Sequence, residues 1–345
     1  MLSCSLNPTS LSKLELDNLL ESGFFRAGQT MFTTSFLHLS NQYLDAVWLR
    51  IKLDEFEATN ETIRVSKRAT RFKTIVREAF IDNKKESLFQ LYKDKASFVN
   101  TPSLHQLLFE NKFEETIFHS YEVCVFDEGK LIACGYFDLG EKSAMGINCF
   151  YDPSYSSFSL GKYLIYRKIL FCKEMGLDYF YPGYFAPGFS RFDYKLQLTQ
   201  KGLSYYALQN REWLPISKWN EEYSILSLMK KKLSELQLIL NGFSLSTELK
   251  YYRHFDASLY PNQTFKNFLE YPIVLQITEY SSETELCLCV YDIFEGVYQI
   301  IQSYAVFELL EAENTAEELM HYVLDFDSVI FESSNLEELI QMMLA

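Results

Sequence analysis

Two carboxylates and one loop are the places in this 345-residue chain where residue type and spacing point to chemistry. Asp138 ends the strand-like run LIACGYFD, and Asp152 follows INCFY and precedes Pro153. A carboxylate at a strand end can take a proton from an ammonium or bind a cationic group. The plain reading of both is a turn carboxylate. The loop lies in CFYDPSYSSFSLGKYLIYRKI, Cys149 to Ile169, which passes through a Ser-rich stretch into SLGK and then into a helical pattern. Glycine beside Ser and Lys at a helix mouth suits a phosphate held by backbone N–H groups, and a plain Ser N-cap is the competing reading. The spacing fits neither GxxxxGK[ST] nor GxGxxG.

The elements that position these groups follow from periodicity. YEVCVFDEGKLIACGYFDLG reads as two strands joined by Asp127-Glu128-Gly129-Lys130, a hairpin signal. Met145 to Tyr151 is a third strand. Apolar residues at 160, 164, 165, 169 and 172 predict a helix from Leu160 to Met175, stopped by Gly176, and LDYFYPGYF is a fourth strand. The strands on either side of that helix are expected to lie parallel in one sheet.

Upstream, residues 11 to 22 read as an amphipathic helix through Leu11, Leu14 and Leu19, SGFFRAGQTMFTTSFLH as a turn and strand, and AVWLRIKLDEF as another strand. Residues 64 to 92 and 103 to 112 read as helical. Downstream, REWLPISKWN is expected as a linker and Glu221 to Leu240 as a helix. From Tyr271 the strands YPIVLQIT, ELCLCVYDIF and YAVFEL alternate with helices at 313 to 324 and 335 to 344.

With 48% hydrophobic and 16% aromatic residues the chain can bury a large core. It has no run of eighteen apolar residues, and its first twenty residues lack a basic segment followed by an apolar one. A cytoplasmic protein that does not enter the membrane is expected. The seven cysteines are odd in number and sit mostly in apolar runs, so they read as buried reduced thiols. Cys287-Leu288-Cys289 has no second cysteine pair and no nearby His, so no metal is expected.

The net charge of −14 is unevenly placed. Residues 271 to 345 hold 15 Asp and Glu and no Lys or Arg, which leaves 31 acids and 32 bases in the rest of the chain. Between Arg64 and Lys95 ten bases face four acids, which fits either a nucleic-acid footprint or a solvated helix face.

The order hairpin, strand, phosphate-type loop, helix, strand is that of the GNAT acyltransferase core, in which the sheet splays and a carbonyl donor lies in the gap. The motifs go further. LIACGYFD (131–138), SAMGINCFYDP (143–153), SLGKY (159–163), the helix ending KEMG, and GLDYFYPGYFAPGFSRFDYK (176–195) resemble, in order and in register, the aminoacyl-tRNA–protein transferases. These are the arginyl- and leucyltransferases that extend acidic N-termini. SGFFRAGQTMF and LRIKLDEFEATNETIRVSKR resemble the N-terminal segments of that family more loosely, so the resemblance covers roughly residues 15 to 200.

The resemblance implies an α+β protein with a GNAT-like acyltransferase core, a mixed sheet with flanking helices, and a small acidic C-terminal α/β domain. The expected divisions are an N-terminal region (1–100), a transferase domain (101–205), a linker and helix (206–270) and the acidic domain (271–345). The implied partners are a charged tRNA, carrying arginine or leucine, and proteins whose first residue is Asp or Glu, with no DNA and no membrane.

Residue by residue, Asp138 and Asp152 would accept the ammonium proton or bind the donor's amino group. Tyr151, Ser159, Gly161, Lys162 and Tyr163 would hold the tRNA 3′ end, and Arg64, Lys67 and Arg68 would face the tRNA body. Gly183, Tyr184, Arg191, Tyr194 and Lys195 would receive the acceptor.

The chain departs from the family in two places. The interval MFTTSFLHLSNQYLDAVWL lacks the cysteine cluster that holds a metal-type cofactor in relatives, so no cofactor is expected there. Pro182, Phe189, Arg191 and Phe192 replace other residues in the last motif. A non-catalytic relative that binds tRNA or protein N-termini is therefore the alternative. An acyl-CoA enzyme is disfavoured by the absence of the [RQ]xxGx[GA] loop.

Overall fold

The structure, a computed structural model, describes residues 2–96, 101–109, 116–259, 267–308, 318–319 and 322–344. The chain opens with β1 (Ser3–Leu6) and α1 (Lys13–Glu21). Ser12 and Glu15 cap that helix reciprocally, each side chain accepting from the other's backbone N–H. Its buried face carries Leu16 and Leu20, spaced i, i+4, whereas Leu14 of the expected stripe is 51% exposed. β2 (Phe25–Ala27) and β3 (Thr30–Thr34) join β1 in a small sheet, and β4 (Phe36–Leu39) pairs with β5 (Gln42–Asp45). Ser40 and Asn41 turn that hairpin with φ of 51° and 58°, as a two-residue loop requires.

An eight-stranded sheet forms the body. Its strands are β6 (Val47–Lys52), β7 (Lys73–Glu78), β8 (Ser120–Asp127), β9 (Lys130–Leu139), β10 (Ser143–Tyr151), β11 (Tyr179–Phe185), β12 (Leu203–Ala207) and β13 (Glu212–Pro215). They lie in the order β13-β12-β6-β11-β10-β9-β8-β7, with β10 and β11 parallel and the other pairs antiparallel. This mixed α+β architecture and its parallel pair agree with the sequence reading.

Two expectations give way here. Residues 64 to 92 are not one helical stretch: α2 (Asn60–Ala69) and α3 (Asn83–Lys93) flank β7, where the β-branched run Thr74-Ile75-Val76 prefers a strand. REWLPISKWN is not merely a linker, because its Glu212–Pro215 pairs with β12 as the sheet's edge.

Alternation along β8 and β9 divides the core. Val123, Val125, Ala133 and Phe137 share a core with Leu160, Leu164 and Ile169 of α5 (Leu160–Glu174). Cys124, Cys134 and Tyr136 point the other way, under α3 and α4 (Leu104–Phe109). Of the helix expected at 103 to 112, residues 110–112 lie outside the described residues.

The remainder forms a second sheet around α6 (Ile225–Gly242). Its strands are β14 (Thr247–Tyr252), β15 (Ile273–Ile277), β16 (Glu285–Asp292), β17 (Val297–Glu308), β18 (Glu318–Leu319) and β19 (Tyr322–Ser333), followed by α7 (Leu336–Leu344). The stripe Met229, Leu233, Leu236 and Leu240 of α6 is fully buried in this core. The segment 206–270 is thus shared: β12 and β13 belong to the first sheet, α6 and β14 to the second. The helix expected at 313–324 falls largely outside the described residues, and its described parts, 318–319 and 322–324, are strand.

The two sheets are joined by specific contacts. Leu2 is buried in the second core beside Phe36, and the backbone N–H groups of Leu2 and Ser3 donate to Glu270 Oε2 at 2.8 and 3.3 Å. Asp45 accepts from Ser224 Oγ (2.6 Å) and Leu226 N (3.1 Å), closing the N-terminus of α6 from outside. Among the described residues no helix is long and apolar enough to cross a membrane.

Candidate functional site

β10 and β11 pair over only three residues, Ser143, Ala144 and Met145 against Tyr179, Phe180 and Tyr181. Beyond them the strands continue to Tyr151 and Phe185 without pairing, so the sheet opens into a gap. A bulge lies on each side of it, between Gly146 and Asn148 in β10 and between Phe180 and Gly183 in β11. Bulges re-aim strands, which is what a splayed edge requires.

Each bulge is held by a buried lysine. Lys168 reaches up from α5 and donates to Tyr136 O (2.8 Å), Asn148 O (2.7 Å) and Cys149 Sγ (3.3 Å). Lys195, in the 3-10 turn Ser190–Gln197, donates to Tyr184 O at 2.6 Å, and its ammonium lies 5.0 and 5.1 Å from the ring centres of Tyr184 and Phe192. None of these acceptors is a carboxylate, and desolvation pulls Lys195 down to about 7. Gly183 has φ of +90°, and a Cβ there would meet Lys195 Nζ at 3.2 Å, so the close approach needs glycine.

Aromatic side chains close the gap. Tyr92 from α3 lies 5.3 Å from Tyr151, and Tyr151 packs against Gly161 at the start of α5. Burial pushes Tyr92 up to about 12 and Tyr194 higher still. Tyr194 has Cys149 of β10, Tyr92 and Tyr184 of β11 as electrostatic neighbours, and exposed Arg191 is an electrostatic neighbour of Tyr92. Tyr184 packs edge-on against Trp48 and Phe192. In the β10 bulge Asn148 Nδ2 is buried and has no hydrogen-bond partner among the described residues.

At the mouth of α5, Ser159 adopts a left-handed backbone (φ 56°), and no side chain caps the helix. The competing reading, a Ser N-cap, therefore does not hold, and among the described residues no side-chain acceptor answers the first N–H groups of the helix. Lys162 pairs with Glu61 at 2.6 Å, which ties α2 to this mouth. Arg64, Lys67 and Arg68 stand exposed on α2, spaced for one face, while Lys85 of the same basic run is buried.

The two carboxylates are occupied elsewhere. Asp138 is fully buried, accepts from Arg26 at 2.9 and 3.0 Å and from Ser120 Oγ at 2.6 Å, and lies on the face of the sheet away from α5. Asp152 accepts from Lys130 Nζ (2.7 Å), Ser154 Oγ (2.6 Å) and Ser154 N (3.0 Å). Burial raises its carboxyl, but Lys130 and Ser154 outweigh that and hold it below the usual range. Tyr163 is buried in the core, with its hydroxyl 2.9 Å from Thr74 Oγ1.

Of the expected residues the fold gathers Tyr151, Gly161, Gly183, Tyr184, Arg191, Tyr194 and Lys195 around one gap, with Ser159 and Lys162 at its helix end. It leaves Asp138, Asp152 and Tyr163 with structural partners. Sequence reasoning missed Tyr92, Asn148 and Lys168. Lys168 carried a signal, since it interrupts the buried i, i+4 ridge Leu160, Leu164, Lys168, Cys172. All seven cysteines are free thiols, and among the described residues one buried group, Glu122 with Cys124 and Cys134, has donors placed for a metal ion.

The family model described as "Arginine-tRNA-protein transferase, C terminus" matches residues 84–204, from α3 to β12. A Leptospira interrogans protein named aspartate/glutamate leucyltransferase is 28% identical over 224 residues, 64% of this chain and 86% of that protein. Its namesake from Campylobacter jejuni is 30% identical over 155 residues, 44% of this chain and 65% of that one. Likeness to solved structures is weak. The crystal structure of FemX, at 10% identity, aligns over 55% of this chain and 65% of its own with a TM-score of 0.35, too low to carry a conclusion.

Proposed function

This chain belongs to the aminoacyl-tRNA–protein transferase family, and from that premise we propose that it moves leucine or arginine from a charged tRNA to the α-amine of proteins that begin with Asp or Glu. The names of the relatives favour leucine. The observation that carries the reading is the gap between β10 and β11, which opens at the uncapped mouth of α5 inside the matched segment. The hairpin, splayed strand, helix and parallel strand support a GNAT-like core.

The reaction needs no covalent enzyme intermediate. A neutral amine attacks the ester carbonyl, the carbonyl oxygen takes up negative charge, and the ribose hydroxyl leaves with a proton. What the protein contributes is alignment and a place for that charge. The α5 mouth takes the terminal nucleotide through Gly161 and its neighbours' backbone N–H groups, with Tyr151 and Tyr92 stacking beside it. Asn148 Nδ2 and the β10 bulge offer donors to the carbonyl oxygen. Lys195 and Arg191 receive the acidic first side chain of the acceptor. Arg64, Lys67 and Arg68 lead the tRNA backbone toward the mouth.

In this reading Asp138 and Asp152 hold the frame instead of serving the chemistry, one paired with Arg26 and the other with Lys130 in the turn before α5. We read residues 271–345, with 15 acids and no Lys or Arg, as the acidic part of the second sheet's unit, which Leu2 and Asp45 join to the first. A cytoplasmic setting suits chemistry that draws on charged tRNA.

The test is direct. The protein is incubated with leucyl-tRNA, and separately with arginyl-tRNA, and a peptide beginning with Asp; mass spectrometry should find the added residue. Binding of tRNA with no transfer from any charged species would instead mark a binding module.

A further inference from the structure

We infer that Glu122, Cys124 and Cys134, together with the hydroxyl of Tyr136, form a binding site for one thiophilic divalent cation, zinc above all, on the face of β8 and β9 beneath α3. Cys124 stands opposite Cys134 and Glu122 opposite Tyr136, two successive cross-strand pairs on one face. All four residues are fully buried.

The donor atoms already have the separations of a tetrahedral site. With metal–sulfur bonds of about 2.3 Å and metal–oxygen bonds of about 2.0 Å, tetrahedral angles place two sulfurs about 3.8 Å apart and a sulfur and oxygen about 3.5 Å apart. Cys124 Sγ lies 3.7 Å from Cys134 Sγ and 3.5 Å from Glu122 Oε1. The three donor atoms all fall within 4.8 Å of one another. The Tyr136 hydroxyl donates to Phe80 O at 3.2 Å and neighbours Cys134, and it is the group we assign to the fourth corner.

The surroundings hold the carboxylate in place. Lys85 Nζ lies 2.6 Å from Glu122 Oε2 and holds the carboxylate by that oxygen, while Arg77 Nε lies 2.8 Å from Oε1, the oxygen that faces Cys124. The charges also balance. Without metal, Glu122 carries one negative charge against the two positive charges of Lys85 and Arg77. When a divalent cation enters, the two thiols release their protons to solvent, so the total charge of the cluster is unchanged. Burying the ion therefore adds no net charge to the interior, which removes the main objection to a cation there. Each ligating thiol gives up its proton on binding, so uptake should rise with pH, with about two protons released per ion.

The experiment uses the full-length reduced protein titrated with Co2+ and, in parallel, Zn2+. One equivalent of Co2+ should bind with a sulfur-to-metal charge-transfer band and release of about two protons. Zn2+ should displace it and raise the melting temperature. Cys124→Ser with Cys134→Ser should abolish the band, Glu122→Gln should weaken binding at least ten-fold, and Cys287→Ser with Cys289→Ser should leave it unchanged. If the double serine variant does not fold by circular dichroism, the wild-type stoichiometry and the Cys287/Cys289 control still decide. No Co2+ uptake by the wild type, uptake that survives loss of Cys124 and Cys134 or disappears with Cys287 and Cys289, or a disulfide joining Cys124 to Cys134 in the reduced preparation would each overturn the assignment.

Discussion

The ammonium of Lys168 lies 2.7 Å from the carbonyl oxygen of Asn148 and 2.8 Å from that of Tyr136, the residues that face each other beside the β10 bulge. A charge from the opposing helix thus fixes the shape of the strand that lines the gap. Replacing Lys168 with Met removes a buried charge but leaves two carbonyls without their donor, and these opposing effects limit the net change in stability. The bulge loses its clamp, and misplacement of the reacting groups by about 1 Å can cost about a hundred-fold in rate. Transfer kinetics for Lys168→Met should therefore show kcat down at least about ten-fold, with KM for charged tRNA little changed. An unaltered kcat would remove Lys168 from the site.

Lys195 titrates near neutrality because burial disfavours its charged form. If it binds the acceptor carboxylate, discrimination between peptides beginning with Asp and with Asn should fall as pH rises through about 7, while titration of the peptide amine cancels in the ratio. A ratio flat from pH 6 to 8.5 would exclude that role. The stability linkage has a definite sign. Between the folded value near 7 and the ordinary value of 10.5 the unfolded chain binds more protons, so the contribution of Lys195 to stability rises with pH across that window. Urea denaturation of wild type and Lys195→Met should show the difference shift in favour of wild type from pH 7 to pH 9.5.

Gly161 and Gly183 answer differently to alanine. At Gly161 a Cβ meets only the Tyr151 ring at an ordinary 3.6 Å, so Gly161→Ala should fold at least as well as wild type while raising KM for charged tRNA. At Gly183 the positive φ and the lysine behind it make alanine costly, by about 1–2 kcal/mol. Thermal melts and donor KM measured on the two variants separate these outcomes.

Charge reversal of Arg64, Lys67 and Arg68 leaves the packed face of α2, Val65 and Ala69, intact. Affinity for tRNA should drop, and the slope of log affinity against log salt should flatten by about two to three. An unchanged slope would make these three bases an ordinary solvated surface.

Asp138 and Arg26 form a buried pair, so losing one partner strands the other. Asp138→Asn should cost about 3–5 kcal/mol in urea unfolding, and the double change Arg26→Met with Asp138→Leu should recover most of it. An Asp138→Asn protein that is fully stable but inactive would return Asp138 to the chemistry.

The β8–β9 hairpin, the parallel pair and α5 were legible because each rests on local pattern: alternation in YEVCVF, the Glu128-Gly129 turn, the ridge from Leu160 to Cys172. The strand KTIVRE was masked by the basic residues around it, since charge says little about backbone shape. Motif register pointed to Tyr151, Tyr184 and Lys195, which the fold brings to the gap. Asp138 shows the limit: its partner, Arg26, lies 112 residues away, and no local signal says whether a carboxylate is free or neutralised. Lys168 was visible as a lysine in an apolar ridge, but what it serves depends on a bulge that only the folded sheet reveals.

The contact of Leu2 with Glu270 sets an order on the birth of the molecule. Leu2 waits for its seat, because the core that buries it is built largely from strands that follow residue 246 in the chain. Until then β1 and its neighbours wait with an apolar side chain uncovered. The early part of the chain is thus tethered to its own completion, and a nascent chain stalled before the second sheet would present that unfinished edge to whatever chaperone is at hand.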